Sequence, residues 1–359
     1  MNIQTLTKTW HWMRFGALVL MVTGAIVACQ TPTNQSLNET ISTVPSDPAN
    51  CRTVQHEMGE TEICGQPQRI VVFGPGLLEA LLALDIQPIG YAPHLDFFPG
   101  DYIDPAQQIP YVGDRITQPL ANVGTMRQPS IEAILKVKPD LIIAIDYNDD
   151  IYATLSQIAP TLLLSYPEPS DTDKNLRAIA RAVDRTEQAE QLIVQAQQQI
   201  VNAQAAFASL VESHPKVLLL SSSQLQEIEL ISSSTLCGSL IEEFGFQLVF
   251  PPEINHDDSR PVLPISLESL PELNDANLVL LLGHNFDTAK ELNSMDGFEN
   301  YQLSSLKQAW AENPIAQSLD ASKTGQVYFF DGYLCGSLPG PIGTELYLEE
   351  LQEKLLSPS

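Results

Sequence analysis

From Thr186 to Glu212 the chain contains neither glycine nor proline, and Ala, Gln, Glu and Leu, all strong helix formers, dominate the stretch. Ala189, Leu192, Ile193, Ala196, Ile200, Ala203, Phe207 and Leu210 recur at steps of three and four, which puts them on one face of a helix. Asp184 and Thr186 are candidate caps for its start, and Pro215 stops it. At 1.5 Å per residue such a helix spans about 40 Å, more than the width of a small domain. Short apolar strands alternate with helices on both sides of it. The spacing therefore predicts a rigid strut between two Rossmann-like α/β lobes with mainly parallel sheets and a cleft between them. The competing arrangement is a long surface helix lying on one domain.

In chain order, Thr53–His56 and Thr61–Ile63 around Met58-Gly59 read as a hairpin, followed by a strand at Ile70–Phe73. Gly74-Pro75-Gly76 opens a helix at Leu77–Leu84. Further strands are expected at Pro88–Tyr91, Leu141–Ile145 and Leu162–Ser165, with helices at Ser130–Val137, Ile151–Ile158 and Asn175–Val183. Beyond the strut, strands are expected at Val217–Leu220, Glu227–Ile231, Gln247–Phe250, Leu278–Leu282 and Val327–Phe330. Helices are expected at Leu236–Phe244 and Gly343–Leu355, with a short one starting at Ser266-Leu267-Glu268. Cys237-Gly238-Ser239-Leu240 and Cys335-Gly336-Ser337-Leu338 form a small internal echo. The division is then 1–28 leader, 29–50 tether, 51–185 first lobe, 186–212 strut and 213–359 second lobe.

The formal net charge is −26; the first 28 residues carry Lys8 and Arg14 and no acid, which leaves −28 on the remainder. So acidic a surface argues against nucleic acid, whose phosphates need clustered Lys and Arg. Phe15–Ala28 is too short for a comfortable membrane span and ends in Ile26-Val27-Ala28-Cys29, which resembles a bacterial lipobox. That resemblance implies lipidation at Cys29 and anchoring at the periplasmic face of the inner membrane; Gln30, not Asp, follows. Residues from Gln30 to Asn50 have the Thr, Asn, Ser and Pro-rich composition of a flexible tether. Cys51 and Cys64 are disulfide candidates in an oxidising compartment, and Cys237 and Cys335 remain for each other, with buried thiols and other pairings left open. With no C-x-x-C and no clustered His, a metal site is not expected.

Several motifs, taken in order, resemble one family. They are the hairpin with Pro67-Gln68-Arg69-Ile70-Val71, then Leu78-Glu79-Ala80-Leu81-Leu82-Ala83-Leu84, then Val123-Gly124-Thr125. Pro129-Ser130-Ile131-Glu132-Ala133-Ile134 and Lys138-Pro139-Asp140-Leu141-Ile142 follow. Val327-Tyr328-Phe329-Phe330-Asp331, Gly336-Ser337 and Gly340-Pro341-Ile342 close the series. From about Arg52 onward the chain resembles class III substrate-binding proteins of ABC importers, the group for ferric siderophores and cobalamin. The resemblance implies capture of a ferric siderophore in the interlobe cleft, delivery to an ABC permease dimer in the inner membrane, no enzyme activity and no cofactor. Cobalamin, haem or ferric citrate are the alternative cargoes. It also implies a carboxylate on each lobe that docks on permease arginines, here Glu132 and Glu242.

In open α/β sheets, ligands bind beyond the carboxyl ends of the strands. That rule points to Tyr91, Arg127, Tyr147, Arg260, His284 and Tyr333 as ligand-binding candidates. Arginine forks suit anionic chelate oxygens, and tyrosine suits both oxygen and apolar arms. A rival reading, a serine hydrolase of the penicillin-binding type, rests on Ser304-Ser305-Leu306-Lys307 as S-x-x-K and Lys323-Thr324-Gly325 as K-T-G. The two motifs sit close together near the C-terminus with no S-D-N between them, which favours coincidence.

Overall fold

The computed structural model describes residues 50–98, 100–165, 169–252, 254, 260–284 and 297–356. The leader at 1–28, Cys29 and almost all of the tether fall outside these residues.

In the first lobe the apolar runs Ile70–Phe73, Leu141–Ile145 and Thr161–Leu164 are buried along their whole length. Continuous apolar strands of this kind suit a sheet covered on both faces. Five strands line up in the order Ala121–Asn122, Gly90–Ala92, Ile70–Phe73, Leu141–Ile145, Thr161–Leu164, and every pairing is parallel. The sequence motifs lock onto one another here. The Asp140 carboxylate accepts from the Gln68 and Arg69 amides at 2.9 and 2.8 Å, and Arg69 Nε donates to the Lys138 carbonyl at 3.0 Å. The hairpin Cys51–His56 with Gly59–Cys64 is closed by a Cys51–Cys64 disulfide.

The second lobe has its own sheet, ordered Val262–Ile265, Ile228–Ile231, Lys216–Ser222, Leu278–Gly283, Val327–Asp331, with Gln247–Leu248 also on Lys216–Ser222. Ile228–Ile231 runs antiparallel to both of its neighbours, so this sheet is mixed. The edge strand Val262–Ile265 carries Pro264, a residue that strands tolerate at an edge. A second disulfide, Cys237–Cys335, ties helix Leu236–Glu243 to helix Gly332–Ser337, joining the two echoing Cys-Gly-Ser-Leu segments.

Between the lobes runs helix Thr186–Ser213, 28 residues long. It packs on helix Pro169–Ala182 of the first lobe and on Pro341–Leu356 and Leu236–Glu243 of the second. Ala189, Ile193, Ala203 and Phe207 are its buried residues, and the Phe207 ring lies 5.2 Å from that of Phe244. Its start differs from the expected capping. Arg185 occupies the N-cap and no side chain caps the helix, while Asp184 sits in the left-handed region at φ 57° where the preceding helix turns off.

Helix Phe298–Glu312 has no counterpart among the sequence-based elements, although Phe298, Gln302, Leu303, Leu306 and Trp310 are buried at helical spacing. The S-x-x-K segment lies on it, with Ser304, Ser305 and Lys307 on its exposed side. Lys323-Thr324-Gly325 is a helix-terminating turn: Lys323 Nζ pairs with Asp320 at 2.9 Å, Thr324 Oγ1 donates to the Asp320 carbonyl, and Gly325 takes φ 74°. Both motifs have ordinary structural roles.

Candidate functional site

The carboxyl ends of the two sheets face each other. Gly74 after Ile70–Phe73, His94 after Gly90–Ala92 and Ile145 at the end of Leu141–Ile145 line one wall; Gly336 and Ser337, after Val327–Asp331, line the other. The described walls approach closely and leave about 20 Å³, roughly the space of one water molecule. A small-molecule ligand occupies about 300–1,000 Å³, so admitting one requires these walls to part.

Arg127 owes its position to a tight hairpin. Gly124–Thr125 pairs antiparallel with Gln128–Pro129, leaving Met126 and Arg127 at the tip. Gly124 adopts φ 89°, and a Cβ there would lie 2.6 Å from the Gln128 carbonyl oxygen, so the turn requires glycine. Met126 is buried and anchors the tip: its amide donates to the Pro93 carbonyl at 2.8 Å, and Asn148 Nδ2 donates to its carbonyl at 2.8 Å. Arg127 is thereby held exposed, with its guanidinium carbon 4.4 Å from the centre of the Tyr147 ring. Tyr147 follows strand Leu141–Ile145 on the turn Asp146–Ile151 and is 44% exposed, so the stacked pair presents polar edges to solvent.

Two histidines complete this group from opposite lobes. His94 is pushed below its ordinary pKa by burial and by the positive charge of Arg127. His284, directly after Leu278–Gly283, is lowered by burial and by His94, while Glu227 opposes the shift. Its Nδ1 lies 3.0 Å from Ser221 Oγ, and its amide donates to the Ser222 carbonyl. Arg127, His94 and His284 thus form a cationic or potentially cationic group in a strongly acidic body, with Tyr147 beside it.

The other candidates lie elsewhere. Tyr91 is only 2% exposed and its hydroxyl hydrogen-bonds that of Tyr333 across the lobe boundary. Tyr333 also stacks on Tyr111 at 6.0 Å and meets Phe298 edge-on. Both tyrosines therefore belong to the contact between lobes rather than to an open ligand surface. Arg260 leads into the entry end of the edge strand Val262–Ile265, two strands from Lys216–Ser222, and its carbonyl accepts from Ser232 Oγ at 2.7 Å. The strand's direction keeps it out of the Arg127 group.

The two docking candidates occupy opposite ends of their sheets. Glu132 is in the first turn of Ile131–Val137, whose N-cap Ser130 accepts from the Ala133 amide. That helix leads into the entry of Leu141–Ile145, so its first turn lies toward the cleft end. Glu242 ends a helix that leads into Gln247–Leu248, and it shares a groove with Lys216 and Asp275 at the strand-entry end. A face presenting both would have to wrap around the second lobe. Glu268 corresponds more closely to Glu132. Ser266-Leu267-Glu268-Ser269-Leu270 precedes Leu278–Gly283 as Ser130-Ile131-Glu132-Ala133-Ile134 precedes Leu141–Ile145, and both glutamates are exposed. This repeated pattern is visible in the sequence, where the reading above assigns only a short helix start.

Residues 101–334 match the family model described as periplasmic binding protein. The chain belongs to the periplasmic binding protein family. Among relatives, it is 30% identical to the Fe(3+) dicitrate-binding periplasmic protein FecB of Escherichia coli, over 82% of this chain and 86% of that one. It is 26% identical to the Fe(3+)-citrate-binding protein YfmC of Bacillus subtilis, over 80% of each. The fold is that of Staphylococcus aureus SirA, solved with staphyloferrin B, at a TM-score of 0.67 and 22% identity, covering 85% of this chain and 98% of that chain. This periplasmic binding protein carries its two larger sheets on either side of one long helix. Among the described residues, no helix is long and apolar enough to cross a membrane.

Proposed function

We propose that this protein is the substrate-binding component of an ABC importer, taking a ferric chelate rich in anionic oxygens between its lobes and passing it to an inner-membrane permease. The observation that carries this reading is the convergence of Arg127, His94 and His284 at facing strand ends in an otherwise acidic body. An isolated arginine stacked on a tyrosine suits carboxylate, hydroxamate or catecholate oxygens by charge-assisted hydrogen bonds. The citrate-type ferric complexes in the names of two relatives belong to the same chemical class. Haem and cobalamin remain the alternative cargoes.

The carrier reading follows the family, and the penicillin-binding-type rival loses support because the S-x-x-K serine and lysine are on an exposed helix face and K-T-G serves as a turn. Cys29 would carry the lipid that holds the body at the periplasmic face of the inner membrane, through the tether at 29–50. Glu132 and Glu268 at the cleft end make the more coherent docking pair, with Glu242 as the alternative to Glu268. Titrating intrinsic fluorescence with ferric citrate, ferric siderophores of each oxygen type, haem and cobalamin tests the cargo. Tight binding of a ferric chelate is expected, and saturable binding of haem or cobalamin alone would overturn the assignment. Reversing the charge at Glu132 and Glu268 should abolish uptake while leaving chelate affinity intact; uptake at the normal rate would exclude that pair.

A further inference from the structure

Helix Pro75–Ala83 of the first lobe buries a carboxylate with no cation in contact with it among the described residues. Glu79 is fully buried, and its hydrogen-bond donors are on the other lobe: the Gly340 amide donates to Oε2 at 2.9 Å and the Gly343 amide to Oε1 at 2.6 Å. The Ile342 amide also hydrogen-bonds it. These are amides at the start of helix Pro341–Leu356, which an α-helix leaves without internal partners. A Ser or Asp just before the helix ordinarily takes them. Here the acceptor arrives from across the lobe boundary. The fit is close: a Cβ on Gly340 would lie 2.9 Å from the Glu79 carboxyl carbon, and one on Gly76 would lie 3.0 Å from Pro339 Cδ.

We propose that Glu79 is the closure residue of this protein: it fastens the first lobe to the helix of the second, and parting the lobes pulls it off those amides into water. The inference holds whatever the cargo. A buried carboxylate released into solvent changes its proton affinity, so closure is linked to pH.

The groups facing Glu79 are few. Arg115, on the turn Gly113–Arg115, lowers its pKa weakly; the Tyr333 hydroxyl feels its charge; and Asp85 and Glu345 line the neighbouring groove with Arg115. Burial outweighs the three amides and lifts Glu79 to about 7. A second buried carboxylate on the same boundary follows this pattern. Asp331, at the end of Val327–Asp331, accepts from the Tyr111 hydroxyl of the first lobe at 2.5 Å. Burial lifts it to about 7, and Glu350 and Glu299 push in the same direction, while Lys354 pairs with both of those glutamates. For both groups the sign is the same. The closed form holds the proton more tightly than the open form, so closure strengthens as pH falls through about 7 and weakens as it rises.

Spin labels at Lys136→Cys and Glu312→Cys on the purified protein, without added chelate, read the lobe separation by pulsed electron resonance. At pH 6 the short-distance population should dominate, and a longer-distance population should grow at least twofold by pH 8.5. The E79Q variant, confirmed folded by circular dichroism, should lose at least half of that pH response, and E79Q with D331N should lose nearly all of it. A wild-type distribution that does not move between pH 6 and 8.5, or an E79Q response equal to wild type, overturns the proposal. If E79Q does not fold, G340A reads the same contact from the other lobe. It should raise the long-distance population already at pH 6, and an unchanged distribution would equally reject the role.

Discussion

Arg127 stands exposed at the tip of a two-strand hairpin, with its guanidinium stacked over one tyrosine ring beside the cleft residue Met126. A hydrogen bond to a charged group contributes about 1.5–3 kcal/mol, so Arg127→Ala should weaken binding of an anionic ferric chelate roughly 10- to 100-fold. Arg127→Lys should recover only part of this, because an ammonium neither forks nor stacks in the same way. Isothermal titration of the three proteins with ferric citrate checks both statements, and equal affinities would remove Arg127 from the site. His94 and His284 make a separate prediction. Both sit below their ordinary pKa in this arrangement, and an anion bound beside them would raise them again. Chelate binding should therefore take up protons, and affinity should rise as pH falls from 7 toward 5. Titrations at pH 6 in buffers of different ionisation heat measure that uptake. It should disappear in the H94Q/H284Q variant, and uptake of the same size there would place the protons elsewhere.

The hairpin that carries Arg127 depends on a single glycine, which makes it testable as an element. Gly124→Ala would set a Cβ against the Gln128 carbonyl oxygen at positive φ, a strain of order 1–3 kcal/mol. Melting temperature and chelate affinity should fall together in that variant. Gly336→Ala is the matching control, since its Cβ would meet nothing within 4 Å although it lines the cleft; a larger loss there than at Gly124 would refute the hairpin argument. The sequence makes the strut legible because a glycine-free stretch of 3.6-residue period admits few other structures. Its first residues are not legible, since Asp184 turns the preceding helix off instead of capping the next. Phe298–Glu312 escapes because Asn300, Ser304 and Ser305 dilute a buried stripe held together by tertiary contacts with the sheet. The strand-end rule selects Arg127, Tyr147 and His284, which lie near the facing strand ends, and also Tyr91, Tyr333 and Arg260, which do not join them. It locates a loop without saying whether solvent or the other lobe faces it. Glu242 rests on a motif match, whereas Ser266-Leu267-Glu268 before Leu278–Gly283, which mirrors Ser130-Ile131-Glu132 before Leu141–Ile145, is an equally legible signal for Glu268.

At the scale of the whole molecule, two fully buried carboxylates on one lobe boundary give its stability a distinctive pH dependence. Glu79 and Asp331 are lifted to about 7 from ordinary values of 4.5 and 3.8. Between those limits the folded protein binds more protons than the unfolded chain, so stability falls as pH rises through about 7. The full contribution, roughly 3 kcal/mol for Glu79, is present below its unfolded pKa and gone above about pH 8. Acid stability is not a clean readout, because His56, His94 and His284 have lowered pKa values and cost stability once pH drops well under 6.5. Between pH 6.5 and 8.5 the same histidines are still losing protons in the unfolded chain, so the contribution of Glu79 is read from the difference between wild type and E79Q. Across that window each carboxylate should remove about 1 kcal/mol by the linkage relation, together roughly 3 °C in melting temperature for a chain of this size before the opposing histidines are counted. Calorimetric scans at half-unit steps through that window measure the slope. The E79Q variant should lose the share of Glu79, falling less steeply than wild type by roughly 1.5 °C across the window. Wild-type and E79Q melting temperatures that change in parallel from pH 6.5 to 8.5 would mean that water reaches Glu79 in the folded protein, and that the lobes do not hold it as tightly as its buried contacts require.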